Sequence, residues 1–158
     1  MTLEATASNL MPTQDALREL TDKALGDRVD RKELDRFYDL VGSGSGAEVL
    51  GATASLKIFV WGVLHCEPYD KPYSFDAEVW GAGASAVESV GFMYTAYTEW
   101  GPFFRDTTAF HVQGAAVEGG VLQINWFRKD GLPIGQYNGV AGGIGAFEAG
   151  GAGTWNRR

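Results

Sequence analysis

Residues Gly139–Trp155 read GVAGGIGAFEAGGAGTW, with glycine at 139, 142, 143, 145, 150, 151 and 153. Glycine has no Cβ, so it lets one backbone approach another closely and lets a strand bend at a barrel corner. Between the glycines, Val140, Ile144, Phe147 and Trp155 supply widely spaced apolar side chains. The stretch reads as the closing strands of a small β-barrel. Gly139, Gly142, Gly143, Gly145, Gly150, Gly151 and Gly153 are then structural residues.

The chain that leads into this stretch alternates as strands do. Leu56–Cys66, LKIFVWGVLHC, is apolar on both faces: Leu56, Ile58, Val60 and Leu64 on one, Phe59, Trp61 and Val63 on the other. Such a strand is central or has its outer face covered. Tyr73–Gly81 places Tyr73, Phe75, Ala77 and Val79 inward, and Ser74, Asp76, Glu78 and Trp80 outward. Ala86–Thr98 reads as two strands or as one bent at Gly91. Strands follow at Thr107–Val117, Val121–Phe127 and Leu132–Val140, with Lys129-Asp130-Gly131 as a hairpin signal and Pro133 at a strand start. These readings predict about seven or eight short antiparallel strands, all-β, as a compact barrel or sandwich.

The N-terminal third has a different period. Thr13 is placed to cap a helix over Gln14–Leu25, with Leu17, Leu20, Ala24 and Leu25 on one face and Gly26 ending it. A second helix opens at Asp30, with Leu34, Phe37, Tyr38 and Val41 as its stripe. The helices are the natural cover for the outer face of Leu56–Cys66. GSGSG at 42–46 reads as a flexible linker, giving a helical segment over 1–46 and a barrel over 56–155.

Composition narrows the function classes. The 158 residues carry a formal charge of −7, 45% hydrophobic and 13% aromatic residues, and 22 glycines. An acidic chain lacks the usual electrostatic drive toward nucleic acid and toward anionic membranes. The single cysteine, Cys66, permits no internal disulfide. No apolar stretch approaches the length of a membrane-spanning helix. Met1–Met11 lacks a basic start followed by an apolar run, so the expectation is a cytoplasmic protein, or a trimmed form of an exported one.

The segment NWFRKDGLPIGQYNG at 125–139 resembles the late hairpin of the virulence-associated (Vap) proteins of pathogenic actinobacteria. The carrying residues are Trp126-Phe127, Lys129-Asp130-Gly131, Ile134-Gly135 and the tail Gly153-Thr154-Trp155. The likeness spans Leu56–Trp155. It implies an eight-stranded antiparallel barrel of Greek-key type, exported and acting in a host cell, with no catalytic residues to transfer. This chain departs from that pattern in its helical N-terminal segment and in the absence of a signal peptide.

Residue by residue, the sequence offers little chemistry. The Gly-rich end has no helix after it to make a phosphate cradle. His65 and Cys66 are adjacent, so on a strand they point to opposite faces and cannot easily share a metal. No metal or cofactor is expected, and the reading favours a protein that is not an enzyme. Asp76 and Glu78 share a face with Trp80, a pattern that suits sugar handling but also suits a solvated stripe. The aromatic segment Glu99–Phe104, EWGPFF, is expected at a loop, exposing an apolar patch. Trp80, Glu99, Trp100, Phe103, Phe104 and His111 are therefore the candidate contact residues for an unknown protein partner or hydrophobic ligand. Two functional readings stand: an effector or interaction protein that works through its surface, and a barrel that holds a hydrophobic ligand, or runs a cyclisation-type reaction, in an aromatic lumen. A carbohydrate-binding module using Trp80 and Trp100 is a third.

Overall fold

The computed structural model describes residues 13–42, 47–115, 120–141 and 147–158, with 81–85 described by backbone alone. Two helices, α1 (Gln14–Leu25) and α2 (Arg31–Gly42), precede strands β1 (Leu50–Pro68) and β2 (Tyr73–Thr95). A short helix α3 (Trp100–Asp106) follows, then β3 (Ala109–Ala115), β4 (Val121–Phe127), β5 (Pro133–Val140), β6 (Phe147–Ala152) and β7 (Trp155–Arg157).

The strands form one antiparallel sheet in the order β1-β2-β5-β4-β3-β6, with β7 on the first arm of β2. The strands expected at Tyr73–Gly81 and Ala86–Thr98 are two arms of one strand that runs through 81–85, and both arms pair with β1 on either side of a register shift. β1 also starts earlier than Leu56, at Leu50, and it too has two arms. Counted by arms, the curl holds the 8 expected strands, with β7 as a short addition.

β1 folds back on itself at Phe59–Trp61. The Tyr69 amide donates to the Gly51 carbonyl at 3.0 Å, which brings the two ends of the strand together. Gly62 makes the bend possible: any Cβ there would strike the Lys57 carbonyl and the Ile58 backbone. At the bend the register shifts, Phe59 facing Ala84 and Trp61 facing Trp80. Val60 is left with a φ of 69° and points into solvent, so it does not join Ile58 and Leu64 in the core. At the other side of the curl, a Cβ on Gly151 of β6 would reach van der Waals contact with the Glu78 carbonyl on β2.

The interior is filled by Phe75, Met93, Phe103, Trp126, Tyr137, Trp155 and the aliphatic residues between them. Gly91 and Gly139 face each other across β2 and β5. A Cβ on Gly139 would collide with the Ser89 hydroxyl and the Tyr137 hydroxyl, which bond to each other at 2.8 Å inside the barrel. Gly153 lies equally close to the Phe75 ring, whereas Gly142, Gly143 and Gly145 fall outside the described residues.

Both N-terminal helices occupy the expected residues, and the Thr13 hydroxyl accepts from the Ala16 amide at 3.2 Å. Their position differs from expectation. They do not cover the outer face of β1; they cover that of β3, β4 and β5. Leu17 and Leu20 meet Val121 and Ala115, while Leu25, Val29, Leu34, Phe37 and Tyr38 meet Phe127. β4 is consequently buried on both faces along its whole length.

Candidate functional site

The candidate contact residues and the polar side chains of the described residues fall at separate places on the barrel.

The first is the β1 bend. Phe59 is 78% exposed, Val60 62%, Trp61 47% and Trp80 65%. Trp61 and Trp80 are cross-strand partners, so the four side chains make one apolar corner, with Val63 continuing it along β1. A contiguous patch of large apolar groups is the kind of surface that marks a contact site. Of the expected contact residues, Trp80 lies here. The alternation of Leu56–Cys66 puts Val60 on the opposite face from Phe59 and Trp61, with the helices covering the outer one; the bend exposes all three, and the helices lie elsewhere.

The second place corrects the expectation for EWGPFF. That segment is helix α3, turned inward, not a loop with an exposed patch. Trp100, Phe103 and Phe104 fall at i, i+3 and i+4, so one turn presents all three to the interior. Phe103 meets Trp126 at 5.5 Å between ring centres, and Phe104 meets Trp155 at 5.0 Å. Trp100 Nε1 donates to the Glu48 carbonyl at 2.8 Å. Gly101-Pro102 does not break the helix, since a proline in the first turn sacrifices no intrahelical bond. Glu99 is exposed at the helix N-cap and its side chain makes no cap bond.

The third place is a polar cluster under α1 that sequence reading passed over. Gln113, Gln123, Asn125, Gln136 and Asn138 are all buried on the outer face of β3–β5. Four of them close a ring in which each amide nitrogen donates to the next oxygen. Gln123 donates to Asn138 at 2.9 Å, Asn138 to Gln136 at 2.8 Å, Gln136 to Asn125 at 2.8 Å, and Asn125 to Gln123 at 3.3 Å. The Thr21 hydroxyl sits on this ring, accepting from Gln123 at 3.1 Å and from Gln136 at 2.9 Å, and donating to the Leu17 carbonyl at 2.9 Å. Gln113 joins from the side, donating to Gln123 and to the Leu20 carbonyl. A buried polar network of this kind is stabilising only when its members are satisfied, and these are bonded to one another. The signal in the sequence was amides at i, i+2 spacing on consecutive strands, on the face opposite Leu122, Ile124 and Trp126.

His111 lies beside this cluster, opposite Asn125 and 2% exposed. Its Nε2 meets Glu148 at 3.3 Å, and its Nδ1 has no hydrogen-bond partner among the described residues. Burial, aided by the charge of Arg28 and opposed by Glu148, holds its pKa below the ordinary imidazole value. Among the described residues its hydrogen-bond partner is Glu148, not a nucleophilic side chain.

His65 is on the outer face and Cys66 is in the core, as adjacency on a strand requires. His65 bonds Asp76 through Nδ1 at 2.6 Å and Glu67 through Nε2 at 3.3 Å. Partial burial works against its charge, but the two carboxylates outweigh burial and raise its pKa. Ser74 donates to Asp76 and not to His65, so the imidazole is not placed to take the serine proton and the trio is not a Ser-His-Asp arrangement. Asp76 is thereby engaged, while Glu78 faces solvent across from Val63. Among the described residues, no group of three or more His, Cys, Asp or Glu side chains could hold a metal ion, and no helix is long and apolar enough to cross a membrane.

No protein-family model matches the sequence, and no curated protein is detectably similar to it. Solved structures do resemble it. Virulence-associated protein VapB from the intracellular pathogen Rhodococcus equi superposes with a TM-score of 0.59 at 21% identity, covering 70% of this chain and 98% of VapB. Virulence-associated protein VapD from the same organism gives 0.60 at 20% identity, covering 69% of this chain and 97% of VapD. The barrel therefore has a Vap-like fold.

Proposed function

We propose that this chain is a non-catalytic, Vap-like interaction barrel, an effector that works through its surface, and that the corner formed by Phe59, Val60, Trp61 and Trp80 is where its partner binds. The observation that carries this reading is Val60. A β-branched residue at a φ of 69° is strained, and glycine would serve the bend better. Val60 is 62% exposed, so little burial offsets that cost. An apolar side chain held there, between two exposed aromatics, is explained by something outside the molecule that it touches. Effector work of this kind would put the barrel outside the cell that makes it.

The rival reading, a ligand or a cyclisation reaction inside the barrel, needs room along its axis. There the rings of Phe75, Phe103, Trp126 and Trp155 stand 5.2–5.8 Å apart and fill that space. The test compares wild type with a Phe59→Ser/Trp61→Ser/Trp80→Ser variant, checked by circular dichroism for an intact fold, in affinity capture from host-cell extract. The reading expects a discrete captured protein that the variant loses. Turnover of a metabolite by purified protein, abolished by an interior substitution such as Tyr137→Phe and not by the triple variant, would overturn it.

A further inference from the structure

Where α1, α2, β2 and β5 meet, on the outside of the sheet, there is a cleft of about 320 Å³. That volume is at the lower end of the range for small-molecule sites. Leu17 of α1 and Val41 of α2 give it apolar walls, while Arg18, Tyr94, Gln136 and Asn138 bring polar groups to it. Tyr94 and Gln136 are cross-strand partners, so their side chains share the outer face.

Much of this polar lining is unspent. Gln136 uses both its N–H groups, on Thr21 and Asn125, and its oxygen accepts from Asn138. Asn138 gives one N–H to Gln136, and its oxygen accepts from Gln123. A side-chain amide has two N–H donors and an oxygen with two lone pairs. Among the described residues, Asn138 therefore keeps one donor and one acceptor position without a partner, and Gln136 keeps one acceptor position. Both side chains belong to residues more than nine-tenths buried. The Tyr94 hydroxyl likewise makes no hydrogen bond among the described residues.

A cation without a counter-charge completes the lining. Arg18 is exposed and forms no ion pair among the described residues, and its guanidinium lies 4.8 Å from the centre of the Tyr38 ring. The Tyr38 hydroxyl is held by Asp22 at 2.6 Å, which fixes that ring. Arg31, the second cation over the same ring, is by contrast taken up by Asp22 and Asp35. In a chain of net charge −7, an unpaired guanidinium beside a cleft is suited to a ligand's carboxylate, which it grips with two parallel N–H bonds.

We propose that this cleft binds an acidic monosaccharide unit, with its carboxylate on Arg18, its hydroxyls on Asn138, Gln136 and Tyr94, and a C–H face on Leu17 and Val41. A hydroxyl both donates and accepts, and so matches a floor that offers a free N–H, free carbonyl lone pairs and a phenol. Phosphate matches it poorly, because ionised oxygens only accept and would face the lone pairs of Gln136 and Asn138. The cleft shares no residue with the apolar corner, and the two inferences stand or fall separately.

The experiment titrates the full chain with D-glucuronate, D-glucose and inorganic phosphate, and follows the side-chain amide signals of Gln136 and Asn138 by proton–nitrogen NMR. Glucuronate should shift both signals, glucose should bind at least about tenfold more weakly for want of the charged contact, and phosphate should leave both in place. Arg18→Gln, a change at an exposed position, should keep the thermal midpoint and weaken glucuronate by a similar factor. Tyr94→Phe should weaken both sugars alike. The Phe59→Ser/Trp61→Ser/Trp80→Ser variant should bind glucuronate as wild type does. Methyl β-D-glucuronide distinguishes the sources of the unit: retained affinity assigns the end of a glycan, and lost affinity assigns a free sugar acid. Glucuronate that moves neither amide signal, an Arg18→Gln chain that binds it unchanged, or phosphate that moves both signals as glucuronate does, would overturn the proposal.

Discussion

Gln136 Nε2 donates to Thr21 Oγ1 at 2.9 Å across 115 positions of sequence. That one bond ties an N-terminal helix to the fifth strand. Both atoms are buried, so their loss is felt more than that of a surface bond. Thr21→Val keeps the shape and removes the oxygen. Gln123 and Gln136 would keep their ring partners and lose their second acceptor. The expected cost is about 1–2 kcal/mol, read as a lower urea midpoint, with Thr21→Ser restoring most of it.

Val60→Gly should do the opposite. Releasing a β-branched residue from a left-handed φ of 69° is worth about 1 kcal/mol of stability. The same change removes an apolar group from the exposed corner. A thermal melt should show an unchanged or higher midpoint, while partner binding falls. A clear loss of stability would mean that Val60 has a packing role.

Phe103→Ala tests whether α3 is a plug or an ornament. Phe103 has no exposed surface and meets Trp100, Phe104, Trp126 and Trp155. Truncation should cost about 3–5 kcal/mol, measured by denaturant unfolding. Glu99→Ala, one turn away and exposed, should change stability by less than about 0.5 kcal/mol.

The two histidines should give opposite pH dependences. His111 has a lowered folded pKa, so below about 6.5 the unfolded chain binds the extra proton first. Its contribution is full above that value and is lost as pH falls toward the folded pKa. His65 has a raised folded pKa, so its contribution is full below about 6.5 and is lost as pH rises through the folded pKa. His111→Gln should flatten the acid side of the stability profile and His65→Gln the neutral side. NMR titration of the two imidazoles checks the directions.

The sequence was legible wherever period alone decides structure. The caps of α1, the inward set Phe75, Ala77 and Val79, the turn at Asp130-Gly131 and the place of Pro133 all follow from local rules. The bend at Gly62 was not legible, because its cause is a backbone collision with Lys57 that no periodicity encodes. EWGPFF was misread because Gly-Pro looks like a break, while the i, i+3, i+4 spacing of its aromatics is a stronger helical signal. The covering of β3–β5 was missed for a physical reason. An apolar stripe on a helix asks for an apolar face, yet α1 lies on amides, since the Thr21 hydroxyl oxygen accepts from Gln123 and Gln136 of the ring. The exposure of Phe59–Trp61 was not legible for a different reason: seven apolar residues on two faces of one strand suggest a central strand or one with its outer face covered.

The barrel's work through its exposed corner is tested most directly by photo-crosslinking. p-Benzoylphenylalanine is placed at Phe59 in one preparation and at the exposed Glu88, on the other arm of β2, in a second. Both are irradiated in host-cell extract. The account predicts a discrete protein adduct from position 59 and none from position 88. No adduct from 59, or the same adducts from both positions, would contradict it.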